Sequence, residues 1–210
     1  AARLGAQVSM IGRVGQDAFA APLLENLVAD GIDHACVLQD DESVTGVALI
    51  VVDDNGENSI VVSSGANMRL SPADVEAAES VIAAADLLVL QLEVPLKSVI
   101  RSAELAQAHR VKVVLNPAPA RPLPAKLLSM VDVLVPNESE AALLTDLPVD
   151  TLVETLAGAG YEAHPLDTKL LDTGADPQGR ALLFRLGLSG FAMMNVMLLS
   201  VSVWSGAEAV

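Results

Sequence analysis

Short β-rich runs alternate with helical stripes along roughly the first 146 residues, the pattern of a parallel sheet with covering helices. Val8 to Ile11 reads as a strand. Asp17 to Asp30 reads as a helix, with Phe19, Leu23, Leu24, Leu27 and Val28 on one apolar stripe and Gly31 just past its end. Thr45 to Val52 and Ser59 to Ser63 are β runs around Asp53-Asp54-Asn55-Gly56, a polar turn that predicts an antiparallel hairpin. Ser71-Pro72-Ala73-Asp74 supplies a capping hydroxyl, a proline whose missing N–H costs nothing in a first turn, and an acid at the third position, so a helix starts there.

Three βα steps follow. Leu87 to Leu92 is a strand, Pro95 to His109 a helix, Lys112 to Asn116 a strand, and Val131 to Val135 a strand that leads into a helix from about Glu138. Such repetition favours a doubly wound α/β sheet, whose ligands sit beyond the carboxyl ends of the strands. Those ends carry Gln91-Leu92-Glu93, Asn116-Pro117 and Pro136-Asn137-Glu138. After Asp150 the character changes. Thr151 to Gly158 is a short helical pattern, Gly158 to Pro165 is turn-rich, and 186–204 is an uncharged run close to the roughly 20 residues that span a bilayer. With Arg180 and Arg185 before it and Trp204 at its end, this hydrophobic helix is expected to cross or contact a membrane, a buried core helix being the other explanation.

Charge narrows the partners. Lys and Arg total 12 against 27 Asp and Glu, a net charge of −15, which repels a nucleic-acid backbone. The one cysteine, Cys36, excludes an internal disulfide, and with no secretion signal at Ala1 a cytoplasmic setting is the expectation. His34 and Cys36 share a strand face, a pairing that packing explains better than metal binding.

Three places offer chemistry. Asn137 and Glu140 fall on one face at the opening of a helix that follows a strand, near the positive end of its dipole. Their hard oxygens suit a hydrated Mg²⁺ beside a phosphate, although a solvated first turn has the same spacing. Glu93 ends an apolar strand, where a carboxylate suits a sugar hydroxyl or simply an exposed strand end. Ala48 and Ile50 lie two apart and share a strand face, as ordinary sheet packing also requires.

Together Ala1-Ala2-Arg3-Leu4-Gly5-Ala6, Ile11-Gly12-Arg13-Val14-Gly15-Gln16-Asp17, Thr45-Gly46-Val47-Ala48-Leu49-Ile50, Gln91-Leu92-Glu93, Asn116-Pro117-Ala118-Pro119-Ala120 and Pro136-Asn137-Glu138-Ser139-Glu140 resemble the sugar kinases of the PfkB group, ribokinases in particular, over residues 1–150. The resemblance implies a partial doubly wound ribokinase-like sheet with a β-hairpin lid. It also implies transfer of the γ-phosphoryl of ATP to the 5-hydroxyl of ribose or a related pentose. Ala48 and Ile50 then lie on the lid over the sugar, Glu93 contacts the sugar, and Asn137 with Glu140 supports Mg²⁺ and the phosphates, Glu140 on the metal side. Exposed lid edges make a homodimer through the hairpin a further expectation.

Departures from the family pattern bear on activity. The Asp-bearing first strand and the Gly-Gly-Lys-Gly-Ala-Asn stretch are not found, and the Gly-Ala-Gly-Asp motif with the general base is replaced by Thr173-Gly174-Ala175-Asp176 followed by Pro177. The chain therefore reads as truncated at both ends and catalytically inactive alone. Leu170 to Asp176 also resembles the triplet of retroviral-type aspartic proteases, without the flap strands such enzymes need. Leu156 to Leu166 and Gly190 to Trp204 resemble the end of a metal-binding module and the first membrane helix of heavy-metal-transporting P-type ATPases. That resemblance implies a linker over 151–176, a membrane span within 177–210, and an alternative identity as a membrane-anchored transporter piece carrying a kinase remnant. Met193, Met194 and Met197 would there offer thioethers to Cu(I), or simply pack.

Overall fold

The computed structural model describes residues 1–52, 58–148, 151 and 154. Their strands are β1 (Val8–Gly15), β2 (Ile32–Asp40), β3 (Val47–Val52), β4 (Asn58–Ser63), β5 (Leu87–Leu90), β6 (Lys112–Leu115) and β7 (Val133–Leu134). The helices are α1 (Ala20–Ala29), α2 (Pro72–Ala77), α3 (Glu79–Ala83), α4 (Leu96–Ala108), α5 (Ala125–Leu128) and α6 (Glu138–Thr145), with short 3-10 turns at Ala2–Leu4 and Gly65–Arg69.

Helix ends follow the capping chemistry in the sequence. Ser71 accepts from the Asp74 N–H while Asp74 accepts from the Ser71 N–H, a closed capping box at the start of α2. Gly31 adopts φ 71° past α1 and donates to the Val28 carbonyl. The start of α1 differs from expectation: it lies at Ala20, and Asp17 sits ahead of it in a turn, its carboxylate accepting from the Phe19 and Ala20 N–H groups and from Thr45. β5 stops at Leu90, two residues early, where Asn116 donates to the Leu90 carbonyl and Leu92 donates to Ala118. β7 has two residues instead of five.

Hydrogen bonding divides the expected doubly wound sheet into three ladders among the described residues: β1 with β2 in parallel, β3 with β4 antiparallel, and β5-β6-β7 in parallel. Packing supplies the continuity that hydrogen bonds do not. Ile11 of β1 lies against the cluster of Val75, Ile82, Leu105, Ala106, Val111 and Val113, which Leu88 and Leu90 of β5 also cover. A second cluster of Leu92, Val99, Ala103, Leu115, Leu127 and Met130 sits beside it, so α4 joins both. Each fully buried aliphatic side chain contributes roughly 1.5–3 kcal/mol.

An ionic lattice joins β1 and β2 to the Gly65–Arg69 turn and α2. Arg13 on β1 donates to both Asp74 oxygens, at 3.1 and 3.0 Å, and to Asp40 at 2.6 Å; Arg69 donates to the same Asp40 oxygen at 2.7 Å. Burial pushes the Asp40 carboxyl up, but Arg69, the Glu42 N–H and Arg13 together hold it below its ordinary range.

No helix among the described residues is long and apolar enough to cross a membrane. The hairpin turn at 53–56, the 151–176 linker apart from 151 and 154, the Leu170 to Asp176 triplet, the 186–204 run and its methionines lie outside the described residues.

Candidate functional site

The parallel ladder aligns Leu90, Leu115 and, one strand further, Leu134, so the segments after β5, β6 and β7 emerge along one edge. Gln91 to Glu93, Asn116 to Pro119, and Pro136 to Asn137 therefore share the carboxyl end of the sheet, where open α/β sheets bind ligands. Along this edge Asn116 Oδ1 accepts from the Ala118 N–H at 3.1 Å.

Glu93 is half-buried, and its N–H donates to Gln91 Oε1. Its carboxylate has no partner among the described residues, and burial pushes its pKa above the ordinary carboxylate range. An exposed strand end would also lack a protein partner, but it would show neither the burial nor the upward shift. A half-desolvated carboxylate without a partner is a strong acceptor for a hydroxyl.

Asn137 and Glu140 meet directly. Asn137 Oδ1 accepts from the Glu140 N–H at 2.8 Å, Glu140 Oε2 accepts from the Asn137 N–H at 2.9 Å, and Asn137 Nδ2 donates to Glu140 Oε1 at 3.0 Å. The pair is the capping box of α6, and Glu140 is only 4% exposed. Both carboxylate oxygens are thus engaged and Glu140 is buried, while Asn137 stays exposed, so the turn is solvated at its first residue and closed at its fourth. With both Glu140 oxygens engaged in the cap, the pair would hold a Mg²⁺ only through the ion's own waters; no group of three His, Cys, Asp or Glu gathers among the described residues.

Ala48 and Ile50 share a face of β3, opposite Val62 and Ile60 of β4. Both faces are exposed: Ile50, Ile60 and Val62 on this one at 39%, 47% and 49%, and Leu49, Val51 and Val61 on the other at 63%, 57% and 66%. β3 and β4 pack substantially on each other alone, so the hairpin projects from the body. His34 and Cys36 both lie half-buried on β2, with no metal-holding group around them among the described residues.

Sequence reasoning missed two constellations. Arg13, Asp40, Arg69 and Asp74 are separated by 27 to 61 positions, and the sign available was an arginine inside an otherwise small and apolar strand. The second joins Asp17 to Thr45 across 28 positions, both residues lying inside quoted motifs without a stated role.

Comparison with known proteins agrees with this architecture. A family model described as pfkB family carbohydrate kinase matches residues 1–170. A ribokinase of Staphylococcus aureus is 45% identical over 160 residues, covering 76% of this chain and 53% of the relative. A deoxyribokinase of Salmonella typhi is 41% identical over 160 residues, covering 76% and 52%. The solved structure of Arabidopsis thaliana ribokinase complexed with ribose and ATP superposes with a TM-score of 0.64 at 28% identity, covering 76% of this chain and 53% of that one. The chain spans about half the length of the curated relatives it matches. With four-fifths of its residues inside the family match, the chain belongs to the pfkB family of carbohydrate kinases.

Proposed function

We propose that residues 1–210 form the sugar-binding side of a kinase that transfers the γ-phosphoryl of ATP to the 5-hydroxyl of ribose or a related pentose. The observation that carries this reading is Glu93: a half-buried carboxylate at the ligand edge of the sheet with no partner among the described residues. Glu93 accepts a sugar hydroxyl. Ala48 and Ile50 on the lid cover the sugar and exclude water that would otherwise compete for the phosphoryl group. Asn137 and Glu140 lie at the positive end of α6, where phosphate charge is stabilised. Mg²⁺ bound with ATP supplies neutralisation of the phosphate oxygens.

In the transfer the 5-oxygen bonds to the γ-phosphorus, the bond to the β,γ-bridging oxygen breaks, ADP leaves, and the hydroxyl proton passes to a general base. The family's Gly-Ala-Gly-Asp base motif is not present in residues 1–210, so these residues alone bind the sugar without turning it over. The test is ribose-dependent ADP release beside a heat-killed control; turnover above that control contradicts the second half of the reading. Ribokinase and deoxyribokinase relatives are similarly close, so titrations with ribose and 2-deoxyribose decide which pentose fits.

The outer lid face of Leu49, Val51 and Val61 suits pairing with the same face of a second copy. Sedimentation of the native chain and of Val61→Lys tests this: a native dimer made monomeric supports it, and a native monomer contradicts it.

A further inference from the structure

Among the described residues the lid hairpin has no neighbouring element that packs substantially on it. Its outer face is exposed, and its strands pack substantially on each other alone. Its orientation is therefore set where its strands leave the body.

That root is built around one carboxylate. Asp17 Oδ2 accepts from the Thr45 N–H at 2.6 Å, and Asp17 Oδ1 accepts from Thr45 Oγ1 at 2.9 Å and from the Phe19 and Ala20 N–H groups at 3.0 and 3.2 Å. Thr45 Oγ1 in turn accepts from the Gly15 N–H at 2.9 Å. Thr45 is buried and Asp17 half-buried, so the Gly15–Thr45 bond is shielded from water and the Asp17–Thr45 bonds partly so, while the bond from Phe19 is exposed. The Ala66 N–H donates to the Val44 carbonyl at 2.8 Å and ties the returning strand to the outgoing one. Glycines permit the approach: a Cβ on Gly15 would lie 2.5 Å from the Thr45 nitrogen, and one on Gly46 would lie 2.7 Å from the Ser64 carbonyl oxygen.

We propose that Asp17 is the positioning residue of the lid: through Thr45 it fixes the strand that carries Ala48 and Ile50 to the end of β1 and the first turn of α1. Asp17 touches no reacting group and acts through Thr45. The inference rests on reading the hairpin as the sugar lid.

The test uses the full chain and four proteins: native, Asp17→Asn, Thr45→Val and Thr45→Ser. Hydrogen exchange is measured on the amides of β3 and β4, with β5 and β6 as an internal reference, and ribose affinity is measured under conditions where every variant is folded. Loss of a charge-assisted bond corresponds to at least about tenfold. Asp17→Asn and Thr45→Val are expected to speed hairpin exchange about tenfold or more, with β5 and β6 unchanged, and to weaken ribose binding by a similar factor. Thr45→Ser, which keeps the hydroxyl, is expected to restore both. Hairpin exchange that is unchanged in Thr45→Val, or accelerated equally in β5 and β6, overturns the proposal. Failure of the native chain to bind ribose sinks the sugar reading by itself, and hairpin exchange still decides the positioning role.

Discussion

Glu93→Gln separates binding from folding in a single substitution. The Glu93 carboxylate has no partner among the described residues, so the change removes no protein contact, while the near-equal size preserves packing. A hydrogen bond to a charged group contributes about 1.5–3 kcal/mol, and an amide oxygen retains roughly half of that. The Kd for ribose is therefore expected to rise about tenfold for Glu93→Gln and about a hundredfold for Glu93→Ala. Stability moves the other way. Burial raises the folded carboxyl pKa above its unfolded value, so between the two values the folded state holds more protons. Unfolding free energy consequently falls as pH rises through that window, and the cost persists at neutral pH. Glu93→Gln removes it. The variant should be more stable than the native chain at neutral pH, and the difference should vanish below the ordinary glutamate range. Calorimetric titration with ribose and urea unfolding at acidic and neutral pH measure both effects. Ribose affinity within about twofold of native, or lower stability at neutral pH, would refute the reasoning.

Other expectations follow from the same contacts. Leu115 is fully buried between α4 and α5, and Leu115→Ala should cost about 2–5 kcal/mol in urea unfolding with an unchanged m value; less than about 1 kcal/mol would contradict the packing described. Burial pushes both Asp40 and Asp74 up, yet Arg69 and Arg13 at Asp40, and Arg13 with Ser71 at Asp74, hold both below their ordinary range. Their stabilisation is present above the unfolded carboxyl pKa and lost as pH falls through the depressed folded values. Arg13→Met should therefore raise the midpoint of acid unfolding followed by circular dichroism, and an unmoved midpoint would count against the lattice. Gly65 adopts φ 50° and its Cβ would lie 2.3 Å from the Val44 carbonyl oxygen, so Gly65→Ala should cost at least about 1–3 kcal/mol and weaken ribose binding through the lid root. Unchanged thermal unfolding would argue against that close approach.

Local chemistry was legible in the sequence wherever it acts over a few residues. The Ser71 capping box, the Gly31 helix end, the hairpin of β3 and β4 and the helix from Glu138 all follow from neighbours within about four positions. What escaped depends on distant partners. Asp17 reads as a helix start until Thr45 claims its carboxylate, and the strand nature of 32–40 shows only in part because its pairing energy comes from β1. The division of the sheet into ladders is likewise invisible to periodicity, which reports the face a residue takes and not the strand beside it. For the site, the repeated βα steps put Glu93 and Asn137 beyond the ends of their strands, and the parallel ladder lines those ends up along one edge. Only geometry distinguished the unpartnered Glu93 carboxylate from the fully engaged Glu140 one.

The central claim is that the edge after β5, covered by the β3–β4 hairpin, cradles a pentose. A crystal structure of the native chain grown with ribose tests it most directly. The sugar is expected under Ala48 and Ile50 with one hydroxyl within hydrogen-bond distance of the Glu93 carboxylate. Ribose bound elsewhere, or density for the site with Glu93 turned away from the sugar, would contradict the claim.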